Sequence, residues 1–187
     1  MNVIRLQIPE VIVIIPPRHG DARGFFSEAY TERAFKAAGI DGDFVQDNDS
    51  FSAMRGTVRG LHLQAPPFAQ DKLVRVIQGH ILDVAVDVRI GSPTFGTYVS
   101  RELSRENGEQ LYIPKGFLHG FVTLERDTQV FYKVTQYYDA KSDMSVRWND
   151  PALGIDWRIE DNEAVLSAKD AAGQSFADFA SPFRYPA

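Results

Sequence analysis

The sequence contains no cysteine. That excludes a disulfide framework, a thiolate metal site and a cysteine nucleophile. No apolar run approaches the length that spans a bilayer, so no membrane partner is expected. The N-terminus lacks the basic-then-apolar layout of a signal peptide, which points to a cytoplasmic protein. Positive charge is in deficit: 20 Lys and Arg stand against 25 Asp and Glu, a net charge of −5. That balance argues against nucleic acid as a partner. It leaves room for a small anionic ligand, because a few arginines in a pocket can override the global sign. Repeats, low-complexity tracts and linkers are also absent. With 187 residues, 44% of them hydrophobic, the whole chain 1–187 reads as one globular domain with a real core.

What is present is β-pattern. Residues 3–15 are rich in β-branched side chains and read as one or two strands broken near Pro9. Asp21–Glu28 reads as a turn feeding a short strand. A helix is predicted over Glu32–Ala38, with Thr31 as its cap and Gly39 closing it. Strand signals then recur at Phe44–Ser52, His80–Arg89, Thr97–Leu103, Gln110–Ile113, Gly120–Leu124 and Gln129–Tyr138. Turn residues such as Gly91-Ser92-Pro93 and Asn107-Gly108 separate them. Many short strands with this punctuation predict an all-β sandwich or barrel with a few short helices. After Asp139 the pattern weakens, apart from a short helix expected at Ser167–Ala172.

Two further strand segments carry the polar side chains of interest. In Arg59-Gly60-Leu61-His62-Leu63-Gln64, alternation places His62 and Gln64 on one face and Leu61 and Leu63 on the other. In Lys72-Leu73-Val74-Arg75-Val76, Lys72, Val74 and Val76 share a face. A histidine and a lysine can therefore point into one space. A solvated sheet face would show the same alternation.

The spacing Gly108-x5-Pro114-x-Gly116-x2-His119 resembles the second motif of the cupin superfamily, a double-stranded β-helix or jelly-roll fold. Gly56-x5-His62-x-Gln64 and Lys72-x6-Gly79 resemble the two halves of its first motif. Cupin metal sites use three His and one Glu. Here Gln64 stands at a His position and Lys72, a cation, at the Glu position. That leaves His62 and His119, too few for the usual site. No metal and no other cofactor is expected.

Seven segments then match one family in order: Arg23-Gly24-Phe25-Phe26, Gln46–Ser50, Arg59–His62, Lys72–Val76, Asp83–Asp87, Ile113–Phe121 and Trp148–Pro151. Together they resemble the dTDP-4-dehydrorhamnose 3,5-epimerase family over roughly Ile4 to Asp170. The resemblance implies a dTDP-sugar substrate and a homodimer. It implies His62 as general base, Tyr132 as general acid and Asp170 as the carboxylate that orients the base, with Lys72 near the keto oxygen. It further implies substrate contacts from Arg23, Glu28, Gln46, Asn48, Arg59, His119 and Lys169, and stacking on the thymine by Tyr138. Asp143 stands where the family usually has Glu, and Ser145 where it has Gly.

These residue types suit the implied reaction, inversion of carbons beside a ketone. Histidine titrates near working pH and suits α-proton abstraction. A lysine at the forming enolate supplies charge stabilisation. Inversion requires a second donor on the opposite face, and Tyr132 shares its strand face with Val130 and Val134, toward an apolar interior. Three other readings stay open. One is a mono-epimerase or ketoisomerase on another deoxysugar, one a non-catalytic nucleotide-sugar binding module, and one a metal-dependent oxygenase. Asp83, Asp87 and Arg89 read as a structural charge pattern, and His19 and His80 as structural histidines.

Overall fold

The computed structural model describes residues 1–186. Thirteen strands and two short helices follow in order. They are β1 (Asn2–Arg5), β2 (Ile12–Ile15), β3 (His19–Asp21), β4 (Gly24–Phe26), α1 (Glu32–Ala37), β5 (Gln46–Ser52), β6 (Val58–Gln64) and β7 (Lys72–Gln78). Then come β8 (His80–Asp87), β9 (Tyr98–Ser104), β10 (Gln110–Ile113), β11 (Phe117–Thr123), β12 (Thr128–Val134), β13 (Asp143–Ser145) and α2 (Ala168–Ala171). A six-stranded sheet runs β1-β2-β10-β7-β12-β5, and a five-stranded sheet runs β13-β6-β11-β8-β9. Every pairing between these strands is antiparallel, and β3 and β4 form a separate hairpin. This is a double-sheet, jelly-roll barrel of cupin type: the turn punctuation predicts a sandwich or barrel, and the motif resemblance implies the cupin type. Among the described residues no helix is long and apolar enough to cross a membrane.

The two sheets face each other across a mixed core. Val74 and Val76 of β7, Leu111 of β10 and Val130 of β12 meet Ile81 and Ala85 of β8, Phe117 and Phe121 of β11, and Leu103 of β9. Each such side chain contributes about 1.5–3 kcal/mol when fully buried. The outer faces are covered as well. Leu73, Ile12 and Ile14 of the six-stranded sheet pack under Phe35 of α1 and Ile40. Leu61, Leu63, Leu82, Val84 and Leu118 of the five-stranded sheet pack under Trp148, Leu153, Trp157 and Phe179. The segment after Asp139, which has little periodicity, is thus a cover. Its two tryptophans meet edge to face at 5.8 Å, and Trp157 Nε1 donates to the Trp148 carbonyl at 2.8 Å. Covered on both faces, β8 and β11 are buried almost throughout.

Several expected boundaries shift. The expected Gly120–Leu124 strand is the second half of the longer β11, which begins at Phe117 and so includes His119. The Gln129–Tyr138 segment stops pairing at Val134, and His80–Arg89 stops at Asp87. Thr31 precedes α1 in extended conformation, yet its side chain makes no capping bond. Gly39 closes the helix at φ +82°, a conformation glycine adopts without strain.

Candidate active site

His62 and His119 are direct cross-strand partners on β6 and β11. Gly60 permits that closeness: a Cβ there would lie 2.5 Å from Gly120 Cα and 2.8 Å from the His119 carbonyl oxygen. Both imidazoles point into the barrel, and each meets a carboxylate.

His62 Nε2 approaches Asp170 Oδ1 to 2.6 Å. The approach is off the line of an N–H···O bond, and Nε2 has no aligned partner. Such contacts often tighten only when substrate is bound. Nδ1 is left as the ring nitrogen free of the carboxylate. Asp170 is only 5% exposed and is itself held in place. Its Oδ2 accepts from Ser167 Oγ at 2.6 Å, and its Oδ1 accepts from the Gly60 N–H at 3.3 Å. Ser167 in turn caps α2 by accepting from the Asp170 N–H. Burial alone would raise the Asp170 pKa. The His62 contact and the bonds from Ser167 and Gly60 outweigh burial and hold it below the usual carboxylate value.

His119 Nε2 lies 2.6 Å from Asp83 Oδ1 in a buried pair. A carboxylate accepts, so the ring donates. Burial pushes the His119 pKa down against the pull of Asp83, and Lys72 and His62 push the same way. Asp83 therefore parts company with Asp87 and Arg89, with which its charge pattern groups it. Asp87 and Arg89 are indeed structural: Arg89 Nε and Nη2 donate to the two Asp87 oxygens at 2.9 and 2.7 Å. Asp83 instead sits in the site, and its Oδ2 is buried with no partner. Alternation on β8 places Asp83 and Asp87 on one face. It carries no sign of which cross-strand neighbour each meets.

The opposing sheet supplies the other groups. Tyr132 of β12 is paired in register with Val74 and with Asn48, so the three share the inward face. Burial raises the phenol pKa, Arg59 and Lys169 oppose it, and the tyrosine stays protonated at neutral pH. Lys72 opens β7, and its pKa falls from 10.5 to about 8. Desolvation lowers it, Asp143 and Asp83 hold it up, and Lys169 lowers it. His62, Lys72, His119, Tyr132, Asp170, Arg59 and Lys169 all line one cavity of about 290 Å³.

Four more expected residues form a hydrogen-bonded rim. The Gln46 amide donates to Asn48 Oδ1 at 2.8 Å, and the Tyr138 N–H donates to Gln46 Oε1 at 3.2 Å. The Tyr138 hydroxyl reaches Asp143 at 3.3 Å, and Asp143 pairs with Lys169. Tyr138 is 61% exposed, free to offer its ring to a ligand. Arg23 and Glu28 are not brought to this cavity. Arg23 is exposed on the β3–β4 turn and pairs with Asp21, and Glu28 is exposed just beyond β4.

Gln64 is tied up by the backbone. Its amide nitrogen donates to the carbonyls of Phe68 and Tyr137 at 2.7 and 3.1 Å, and its oxygen accepts from Asp139 N–H at 2.8 Å. It pins the loop that carries Tyr138. Among the described residues no three His, Cys, Asp or Glu side chains gather as a metal-ligand set. Ser167 and Asp83 are site residues that the sequence pattern does not disclose.

Three comparisons with known proteins agree. The family model of dTDP-4-dehydrorhamnose 3,5-epimerase matches residues 5–178. A dTDP-4-dehydrorhamnose 3,5-epimerase of Sinorhizobium fredii is 52% identical over 96% of this chain and 92% of its own. One from Pseudomonas aeruginosa is 50% identical over 95% of this chain and 97% of its own. A Legionella pneumophila 3,5-epimerase, crystallised with dTDP-4-keto-L-rhamnose, superposes with a TM-score of 0.94 at 44% identity, covering 100% of this chain and 99% of that one. By its fold, its cavity and these relatives, the chain belongs to the dTDP-4-dehydrorhamnose 3,5-epimerase family.

Proposed function

We propose that this chain inverts C3 and C5 of dTDP-4-keto-6-deoxyglucose to give dTDP-4-keto-L-rhamnose, by acid–base chemistry through an enolate. One observation carries the reading: the two proton-handling groups come from opposing sheets. His62 with its Asp170 stands on the five-stranded sheet, and Tyr132 stands on the six-stranded sheet. A sugar ring between them meets a base on one face and an acid on the other, which inversion requires.

His62 takes the proton beside the C4 ketone, with Asp170 orienting the ring and stabilising its charged form. Lys72 meets the negative charge that forms on the C4 oxygen. Its pKa of about 8 leaves it mostly protonated at neutral pH, and burial strengthens its field. Tyr132 returns a proton to the far face. His119, oriented by Asp83, contacts the sugar. Arg59 and Lys169 pair with the diphosphate, for which arginine's planar fork is suited. Tyr138 stacks on the thymine, with Gln46, Asn48 and Asp143 at its edge. These groups use neither a metal nor a redox cofactor.

The chain is further proposed to be a single domain working in the cytoplasm, where a cysteine-free protein has no use for oxidation, and to act as a homodimer. Strand β1 is an edge strand exposed at every residue, Val3 and Ile4 included. An apolar edge is a liability unless covered, and two-fold pairing would cover it. In that dimer the substrate contacts of Arg23 and Glu28 are made in the second copy's cavity. Light scattering showing the monomer mass of 21.0 kDa at micromolar concentration would remove the dimer.

The reaction is tested by proton NMR of dTDP-4-keto-6-deoxyglucose in D2O, with products trapped by a 4-keto reductase. Deuterium at both C3 and C5 of an L-rhamno product supports the proposal. Label with inversion at one carbon only would assign a mono-epimerase, and absence of exchange would remove the enzymatic reading.

A further inference from the structure

Past Val134 the chain leaves the sheet, and Tyr138 sits on an irregular segment. Among the described residues no backbone group of 136–138 bonds to another backbone group. Glutamine side chains satisfy this stretch instead. Gln70 Nε2 donates to the Gln136 carbonyl at 2.7 Å. Gln64 Nε2 donates to the Tyr137 carbonyl at 3.1 Å, and Gln64 Oε1 accepts from the Asp139 N–H at 2.8 Å. One amide thus grips the chain on both sides of Tyr138. The Tyr138 N–H between these two bonds goes to Gln46 Oε1.

Gln64 is itself firmly seated. It shares the inward face of β6 with His62 and is only 5% exposed. Its amide nitrogen also donates to the Phe68 carbonyl at 2.7 Å. Both donors of the amide and one acceptor position are therefore committed to backbone. The residue across the strand pair from Gln64 is Asp143, which the Tyr138 hydroxyl reaches. The backbone of Tyr138 is held from inside the barrel while its ring is 61% exposed. A ring fixed in advance loses little freedom when a base lies on it, so more of the stacking energy appears as affinity. Gln64 does not line the catalytic cavity, and the proposed proton transfers do not use it.

We propose that Gln64 is a positioning residue for the nucleotide: by holding the backbone on either side of Tyr138, it sets the affinity for the thymine. Gln70 is the lesser tie on the same segment. The proposal rests on the reading that Tyr138 stacks on that base. Loss of Gln64 acts on binding in ground state and transition state alike, so it raises KM and leaves kcat in place.

The test is calorimetric titration of the full chain with thymidine diphosphate and with inorganic pyrophosphate, alongside steady-state kinetics. The variants are Gln64→Met, Gln70→Met, Tyr138→Ala and the double variant of Gln64→Met with Tyr138→Ala. Methionine keeps an unbranched stem and removes the amide. Gln70 is only half-buried, so Gln70→Met should fold even where Gln64→Met does not. Tyr138→Ala should weaken thymidine diphosphate about ten-fold or more, the worth of one base stacked on an aromatic ring. Gln64→Met should weaken it about five-fold or more and Gln70→Met about two-fold or more, the worth of a lost hydrogen bond. Pyrophosphate affinity and kcat should stay within about two-fold of wild type. In the Tyr138→Ala background, Gln64→Met should cost less than about two-fold more, because the ring it positions is gone. Wild-type thymidine diphosphate affinity in Gln64→Met, or in Gln70→Met where Gln64→Met does not fold, overturns the proposal. Full additivity with Tyr138→Ala overturns it too, as does an equal loss of pyrophosphate affinity, which would make Gln64 a support of the barrel alone. Wild-type binding by Tyr138→Ala removes the stacking itself, and the proposal with it. The titrations need no turnover, so they decide the proposal even in a chain that fails to epimerise.

Discussion

Replacing Lys72 by Met should make the protein more stable and far less active. Methionine keeps the unbranched stem and removes the charge. In the folded chain the Lys72 pKa drops from 10.5 to about 8, chiefly because burial disfavours the ammonium. At about 1.4 kcal/mol per pH unit, that drop corresponds to roughly 3 kcal/mol of cost at neutral pH. Lys72 is only partly buried by surface area, and Asp143 and Asp83 lose an attractive partner in the variant. The expected net gain is therefore on the order of 1–3 kcal/mol, or a few degrees to about ten degrees in Tm for a chain of this length. The pH dependence has a fixed sign. Below about pH 8 the folded protein carries the whole cost. Between there and 10.5 the unfolded chain binds a proton that the folded chain has released, so wild-type stability rises with pH. The advantage of Lys72→Met should accordingly shrink between pH 7 and pH 10. Turnover should fall about 10²–10³-fold, the usual loss when a stabiliser of a developing oxyanion is removed. Thermal unfolding at the two pH values and a stopped-time NMR assay measure both effects. A variant that melts below wild type at pH 7, or that stays within about three-fold of wild-type turnover, would refute this account of Lys72.

His62→Ala should cost about 10²–10⁴-fold in rate and lose solvent deuterium exchange together with epimerisation. Tyr132→Phe keeps the base and Lys72, so NMR should show deuterium washed in without inversion at one carbon at least; near wild-type epimerisation would remove Tyr132 as the acid. Asp83→Asn keeps a hydrogen-bond partner for His119 but removes one of two negative charges that hold the Lys72 pKa up. The basic limb of the pH–kcat profile should move below about 8, and an unmoved limb would show that Lys72 protonation does not govern it. Exhaustive chelation should leave turnover unchanged, since Lys72 and Gln64 occupy the ligand positions and the Gln64 amide is committed to backbone. Loss of activity that returns with one equivalent of a divalent metal would reverse that reading.

Local chemistry by itself determined a good deal of this protein. Alternation is a short-range property, so the inward faces of β6 and β7 are readable from Leu61, His62, Leu63 and from Leu73 and Val74. Turn residues act locally too, which is why the strand pattern and barrel class follow from glycines and prolines. The seven ordered segments carry the family and, through it, the proposed roles. Tertiary structure decided what depends on closing long loops of chain. Asp170 reaches Gly60 across 110 residues of sequence separation, and His62 lies beside it in the same way. Asp83 leaves the company of Asp87 only because β8 is set beside β11. The aperiodic tail becomes the lid of the second core because Trp148 and Trp157 find an apolar face to cover. Gln64 faces inward by alternation alone, but only the fold brings Tyr137 and Asp139 to it. Periodicity reports which way a side chain points; what it meets there depends on sheet order and register, set by burial summed over the whole chain.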